Sequence, residues 1–346
     1  MNRTCILSAL AISVVLASGC PKKPDNTQEP KKEPVTEPDK KQEPVPGALA
    51  PDKEYASGKV QVARLAVETR VDVPNMGPQG KVGDDVKKAQ QGSAIAQTMV
   101  VSEDRGKTVF TTKNFYVPLG TELRYNPAQK KYVLADPNKK MFWAMTGAEI
   151  GNLLEGGPSM TRTNYTINIT QTQDKETIAG VEAVRSDAAL GFDWAVKTRS
   201  GEKKGSIKVK LAIWHSADPK LKAGWGKMMV DFLTVPFQDA EGQKVVDELK
   251  RKVGFPVKWS MEVDNQGQAR EKGDVNPKLL SVATSLEVAE IDRTELASPP
   301  AGFAPATGPY EFGEGGQTVG EDLLGKIPAK KGEPPKNLEP PDEGKQ

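Results

Sequence analysis

Apolar and polar residues alternate along much of the chain between residues 55 and 303. A period of two, with one apolar and one polar face, is typical of antiparallel strands in a sheet that is covered on one side. The alternation is clearest in five stretches, which predict strands at 65–73, 165–170, 207–213, 257–263 and 280–288. Less regular apolar runs predict six more strands at 94–103, 107–117, 121–126, 131–136, 140–146 and 181–190.

Turn-forming residues separate these runs, for example Asp104-Arg105-Gly106 and Asp136-Pro137-Asn138. Such turns join strands that are neighbours in the chain, so we expect meandering hairpins. In the last strand, the apolar face is expected to hold Leu280, Val282, Leu286 and Val288.

A helical period appears in few segments. Asp218 and Pro219 are expected to begin one helix as its N-cap and first residue. Its apolar stripe comprises Leu221, Trp225, Met228, Met229, Phe232 and Leu233. Asp239 is expected to begin a second helix, which Gly254 would end and whose apolar side comprises Val245, Val246, Leu249 and Val253. A weaker third helix is predicted at 148–155.

Many strands and few helices predict a fold class that is mainly β (α+β). A sheet of this width has to curl or be covered. We therefore expect a large curled antiparallel sheet or half-barrel at residues 54–303, with two or three helices over its concave face.

The first residues of the chain indicate export. Arg3 precedes an apolar run from Ile6 to Leu16, and Ala17-Ser18-Gly19-Cys20 is a junction of small residues that ends in cysteine. This resembles a bacterial lipoprotein signal peptide with its lipobox, although Ala17 stands where Leu is usual. The run is too short to span a bilayer, so residues 1–19 are expected to be removed and Cys20 lipidated. A plain cleaved secretory signal is the alternative.

The segments 20–53 and 304–346 differ sharply from the residues between them. Both are rich in Pro, Lys and Glu and hold few bulky apolar residues, so both are predicted to be disordered. The first would tether the domain to a membrane. By analogy with enteric sorting, Pro21 after the cysteine favours the periplasmic face of the outer membrane. One short apolar cluster, 319–327, interrupts the second segment and is expected either to dock or to remain mobile.

Composition excludes several classes of function. The chain has two cysteines, Cys5 and Cys20, and we expect the first to leave with the signal and the second to be acylated. No thiol would then remain for a disulfide or a metal site, and the single histidine cannot form a site that needs two imidazoles. With 48 basic and 46 acidic residues there is no basic field for nucleic acid. We expect no metal and no cofactor.

His215 lies close to Ser216 and Asp218, which supplies the residue types of a catalytic triad. A triad is defined by geometry, and neighbours at a strand end rarely converge as nucleophile, base and orienting group. We expect a strand-end histidine with a local hydrogen bond. No pair of carboxylates stands out and no Gly-rich phosphate loop is present, so an enzyme is not expected.

Patterns of turns and apolar strands carry a resemblance to a known group. They are the segments 131–143, 176–183, 210–214, 254–259 and 299–303. Over about residues 59–303 the chain resembles the half-barrel lipid and lipoprotein carriers of the LolA, LolB and LppX kind. It is more closely similar to a family of uncharacterised domains found in bacterial lipoproteins. The resemblance implies a curled sheet with an apolar space beneath its helices and transfers no catalytic residue.

The expected function follows from that space. We expect an envelope lipoprotein that binds a hydrophobic ligand, such as an acyl chain, a lipid or a lipoprotein anchor, without catalysis. Met and aromatic side chains adapt to such ligands. The candidate ligand-binding residues are Trp225, Met228, Met229 and Phe232 on the first helix and Met141, Trp143 and Met145 on one strand. The alternative is a protein-protein interaction or structural module with a filled core.

Overall fold

The computed structural model describes residues 55, 57–72, 94–112, 119–146, 149, 161–198, 201–237, 239–266 and 278–306. The signal segment, Cys20, the tether and the residues after 306 lie outside the described residues. So do 113–117 of one predicted strand and all of the weak third helix except Glu149.

Twelve strands of the described chain form one open sheet. They are β1 (Lys59–Asp72), β2 (Ile95–Val101), β3 (Gly106–Phe110), β4 (Glu122–Asn126), β5 (Lys131–Asp136), β6 (Met141–Thr146), β7 (Thr161–Ile178), β8 (Val181–Thr198), β9 (Gly201–Ser216), β10 (Phe255–Gln266), β11 (Lys278–Asp292) and β12 (Ala304–Pro305). Their order is β12-β6-β5-β4-β3-β2-β1-β11-β10-β9-β8-β7. Two meanders, β1–β6 and β7–β11, are therefore joined where β1 pairs with β11.

The mainly β prediction is confirmed, and each predicted strand is present. The sheet is mixed, because β12 runs parallel to β6 while the other neighbours are antiparallel. Strand β12 is too short to show a period and was not predicted. The expected apolar face of β11 is wrong, since Leu280 is 38% and Val288 48% exposed. Leu279 and Ser281 are buried instead, and a register shift opposite Ala66 and Val67 breaks the alternation along the strand.

Two helices of the described chain follow β9. Helix α1 spans Ala223–Leu233 and helix α2 spans Gln243–Lys252. Both begin later than the sequence predicts. The Asp218 carboxylate accepts the Lys220 N–H at 2.8 Å within a turn, so it does not cap α1. The Asp239 carboxylate accepts the Gly242 N–H at 2.7 Å, again in the turn before the helix.

Both helices pack on the same face of the sheet, here called the helix face. It holds the main core, to which most strands contribute, among them Leu65 of β1, Met99 of β2 and Leu211 of β9. The opposite face, here called the outer face, carries Arg64 and Arg70 of β1 by strand alternation.

Residues 293–306, here called the strap, cross part of the outer face. Phe303 packs on a cluster of Val133, Ala135, Phe142 and Ala144. Arg124 donates to the carbonyls of Glu295 at 3.0 Å and Ala297 at 2.5 Å, and its guanidinium pairs with Glu122 at 2.5 Å. The strap therefore covers β4–β6, and its Leu296 and Ala297 also pack with Ile291 at one end of β11, whereas the outer face of β7–β10 has no such cover among the described residues.

Candidate functional site

The apolar stripe of α1 lies against the sheet with almost no exposure. Trp225, Met228, Met229 and Phe232 are 0%, 2%, 0% and 5% exposed. These are values of a closed core, because the mouth of a ligand pocket leaves some side chains in contact with solvent. The four residues predicted for a lid thus pack as interior residues.

Close contacts hold α1 in place. A Cβ on Gly106 of β3 would overlap the ring of Phe232, so the absent side chain at Gly106 lets the helix approach the strand. The Tyr132 hydroxyl donates to the Asp231 carbonyl at 3.0 Å. The Asp231 carboxylate pairs with Lys250 of α2 at 2.6 Å. Burial raises the pKa of Asp231, and the bond to Lys250 opposes that shift.

The space beneath α1 is nearly filled. A cavity of about 10 Å³ remains between the sheet and the two helices. Eight residues line it, among them Leu211 of β9, Val230 of α1 and Trp259 of β10. Sites for drug-sized ligands occupy about 300–1,000 Å³. The described residues therefore leave no room for an acyl chain at this position.

The three candidates on β6 share the helix face with α1. Met145 pairs with Tyr132 and Trp143 with Leu134, which places them in the same rows of the sheet as core residues. Met145 is buried, while Met141 and Trp143 are partly buried at the margin of the core. The structure thus brings all seven candidates to one face but does not arrange them around an open cavity.

A large concavity lies elsewhere, on the outer face of β7–β11 and the end of β1. We call it the sheet groove; its volume is about 840 Å³. Sequence reasoning missed this site. Its floor includes the small residues Ala212 and Ser260, which pair with each other on β9 and β10, and Ala189 on β8, which pairs with Lys210 in the next row. Its polar residues include Asn168 and Thr170 on β7.

The register explains how the groove is built. One row across the strands is Arg70, Leu280, Ser260, Ala212, Asp187 and Thr170. The next row is Lys278, Glu262, Lys210, Ala189 and Asn168. The short side chains of Ser260 and Ala212 in the middle of the first row, and of Ala189 in the second, leave a depression that longer side chains surround. A signal was available in the sequence, since Ala and Ser interrupt the charged alternation, but only pairing aligns the interruptions.

The groove carries net positive charge. Its lining includes four basic side chains, Arg70, Arg185, Lys210 and Lys278, against the two carboxylates of Asp187 and Glu262. The Glu262 carboxylate forms ion pairs with both lysines, at 4.0 Å from Lys210 and 3.8 Å from Lys278. Arg185 is paired with Asp187 at 2.7 Å. An anionic ligand would therefore find basic groups that the groove itself does not fully neutralise.

His215 has the hydrogen bonds of a structural residue. Its Nδ1 accepts the Gly254 N–H at 3.1 Å, which leaves the proton on Nε2, and Nε2 lies 2.9 Å from the Ser186 hydroxyl. In this tautomer the imidazole donates to Ser186 and cannot take its proton. The carboxylate of Asp218 accepts a backbone N–H, and Nδ1 has no carboxylate to orient it. The geometry differs from that of a triad.

We expect His215 to make the fold sensitive to mild acid. Burial lowers its pKa below the ordinary 6.5, so the unfolded chain binds the proton more tightly. The free energy of unfolding should thus fall as pH drops through about 6.5. Thermal unfolding of the wild type and of His215→Asn at about pH 7.5 and 5 tests this. Asn keeps an acceptor for Gly254, and equal losses in both proteins would contradict the assignment.

Comparison with known proteins yields no relative. No protein-family model, no curated protein and no solved structure matches the chain. Neither described helix is long and apolar enough to cross a membrane. Within the described residues no group of three His, Cys, Asp or Glu side chains is placed to hold a metal ion.

Proposed function

We propose that this chain is a bacterial envelope lipoprotein whose β domain is a non-catalytic protein-protein interaction module. One contrast carries the proposal. About 10 Å³ is left beneath α1, whereas the outer face carries a groove of about 840 Å³. A carrier of hydrophobic ligands needs the first space, and an interaction module can use the second. Of the two functions expected from the sequence, the geometry therefore favours the interaction module.

The groove indicates the chemistry of its partner. The groove has a volume of about 840 Å³, within the range of known ligand sites, which is enough for a short segment of polypeptide. Its small floor residues accommodate a backbone, and its excess of basic side chains favours carboxylates. We propose an extended acidic segment of a protein as the ligand.

We also propose that the sheet is curled into a half-barrel. Strands β7 and β11 are separated by three others in the sheet, yet they contact each other. A strongly twisted sheet is concave toward one face along one diagonal and toward the other face along the other diagonal. The helices would fill the concavity of the helix face, and the sheet groove would be the concavity of the outer face. This differs in use from the LolA-like carriers, which the chain resembles in its strand patterns.

Location follows from the sequence at the N-terminus. Cys20 would carry the acyl chains, and Pro21 favours the periplasmic face of the outer membrane. The Pro-rich tether that follows, at about 3.1 Å per residue, would extend up to roughly 100 Å from the membrane. A domain on such a tether reaches partners well away from its own bilayer.

A second candidate function retains the hydrophobic ligand. Met141 and Trp143 are only partly buried, at the margin of the helix face. An acyl chain lying along this margin would contact both side chains without entering the core. The ligand would then be held at the surface of the domain.

One crosslinking experiment separates the two functions. A photoreactive amino acid is placed in the anchored protein at Ala212 on the groove floor, at Trp143 or, as a control outside both sites, at Lys220. We expect a discrete protein adduct from Ala212 and none from Lys220. A lipid adduct from Trp143 with no protein adduct from Ala212 would favour the second candidate. Absence of any Ala212-specific adduct would refute the groove as the interaction surface.

A further inference from the structure

The strap ends at residue 306, the last described residue, on the edge of the sheet. Within the strap, β12 pairs Pro305 with Phe142, and the residues before β12 lie on the outer face. The sheet groove opens on the same face. Arg70 of the groove and Arg64 lie on the same side of β1, and Arg64 is in one row of paired residues with Arg124, which lies under the strap. The C-terminal residues therefore leave the domain beside the face that carries the groove.

The register gives the distance between these two points. Pro305 lies in a row with Phe142, Ala135, Glu122, Val109, Thr98 and Ala66. Six strand steps at about 4.8 Å cover about 29 Å, and the four residues from Ala66 to Arg70 add about 14 Å at right angles. The direct path is roughly 32 Å. Residues 307–318 span up to about 40 Å when extended, which brings residue 319 to the groove.

The sequence at that point complements the groove. Residues 307–325 contain Glu311, Glu314, Glu321 and Asp322 and no lysine or arginine. The groove has two more basic than acidic side chains. The tether before the domain has no comparable stretch, because lysines alternate with its acidic residues. Small and apolar residues surround Glu321 and Asp322, which suits a shallow floor of Ala and Ser beside Leu280.

Two arginines nearer to the strap already have carboxylate partners. Arg64 pairs with Glu287 at 3.3 Å, and Arg124 pairs with Glu122 at 2.5 Å and is buried under the strap. Arg70 forms no ion pair with another described residue, and Lys278 shares its carboxylate with Lys210. The groove thus offers basic groups that are less neutralised than these two arginines.

From these observations we infer that residues 319–325 occupy the sheet groove of their own chain. Glu321 and Asp322 lie beside Arg70 and Lys278, and the segment competes with the external partner. The inference rests on the proposed function in one respect, namely that the groove is a binding surface. It adds that the free protein is self-occupied and that a partner must displace the tail.

A disulfide trap tests the contact. The chain from residue 20 is prepared with Cys20→Ser, so that introduced thiols are the only ones. Leu323→Cys is combined with Leu280→Cys in the groove or with Val288→Cys, an exposed position on the same strand outside it. A docked tail has a high effective concentration at one site, so we expect the groove pair to oxidise at least about tenfold faster. Glu321→Gln with Asp322→Asn should remove the difference.

Equal rates at positions 280 and 288 would overturn the inference, because the tail would then only sample the surface. The inference would also be overturned if the groove pair still oxidised faster after both carboxylates were removed, since charge would then not direct the docking. The proposed function fails separately. An intramolecular adduct at Ala212 leaves the mass of the protein unchanged, whereas an external partner raises it.

Discussion

Replacing Met229 by glutamate is expected to unfold the domain. Met229 is 0% exposed in the middle of α1, and the cavity nearby holds only about 10 Å³. A carboxyl group at this position would lose its hydration without a partner, and we expect a loss of at least about 4 kcal/mol. Domains are stable by about 5–15 kcal/mol in total. Circular dichroism in urea should show a greatly reduced or absent cooperative transition.

Met229→Leu is the matched control, because it conserves volume and polarity and should cost less than about 1.5 kcal/mol. A soluble and cooperative Met229→Glu variant that takes up a fluorescent fatty acid less well than the wild type would contradict this prediction. In that case α1 would open to solvent as a lid. The filled core would be wrong, and the hydrophobic ligand would become the leading function.

The period of two was sufficient to predict the strands, because one side of the sheet is buried along most of its width. It also predicted that Met141, Trp143 and Met145 share a face with the α1 stripe. Their burial could not be predicted. An amphipathic helix on a filled core and a helix over an empty pocket have the same apolar stripe, and only the volume between the layers distinguishes them.

The sheet groove could not be predicted for another reason. Its floor depends on Ala212 lying beside Ser260 and on Ala189 in the adjacent row, and these residues are far apart in the chain. Strand pairing brings them together, and the period of a single strand contains no information on pairing. The β1–β11 junction joins strands that are more than two hundred residues apart at Arg64 and Glu287. The charges along one strand therefore indicate a polar face and no groove.

Helix starts were misplaced because Asp218 and Asp239 fit two structures equally well. Both side chains accept a backbone N–H two or three residues later, as in an N-cap, but the chain makes a further turn before each helix. Local hydrogen bonding of Asp is common to caps and to isolated turns. The buried residues of the two helices begin at Trp225 and Val245, so burial marks the starts better than the Asp residues do.

Replacing Cys20 by alanine is expected to abolish acylation of the chain and to release it from the membrane. The sulfur of Cys20 is the acyl acceptor that the lipobox-like junction indicates. Each buried methylene contributes about 0.8 kcal/mol, so one chain holds marginally while three hold almost permanently. Radiolabelled palmitate should therefore enter the wild type and be absent from Cys20→Ala. That variant should fractionate with soluble proteins.

Cys5→Ser is the control, since Cys5 lies in the segment that we expect export to remove, and its loss should change neither labelling nor fractionation. Equal labelling of Cys20→Ala and the wild type would refute the anchor at this residue. If the wild type were cleaved but not labelled, the N-terminal segment would be a plain secretory signal, which is the alternative stated above. The domain would then diffuse freely, and the tether would no longer have a membrane to hold it near. The proposed interaction module therefore depends on this thiol for its position, although the sheet groove does not depend on it for its shape.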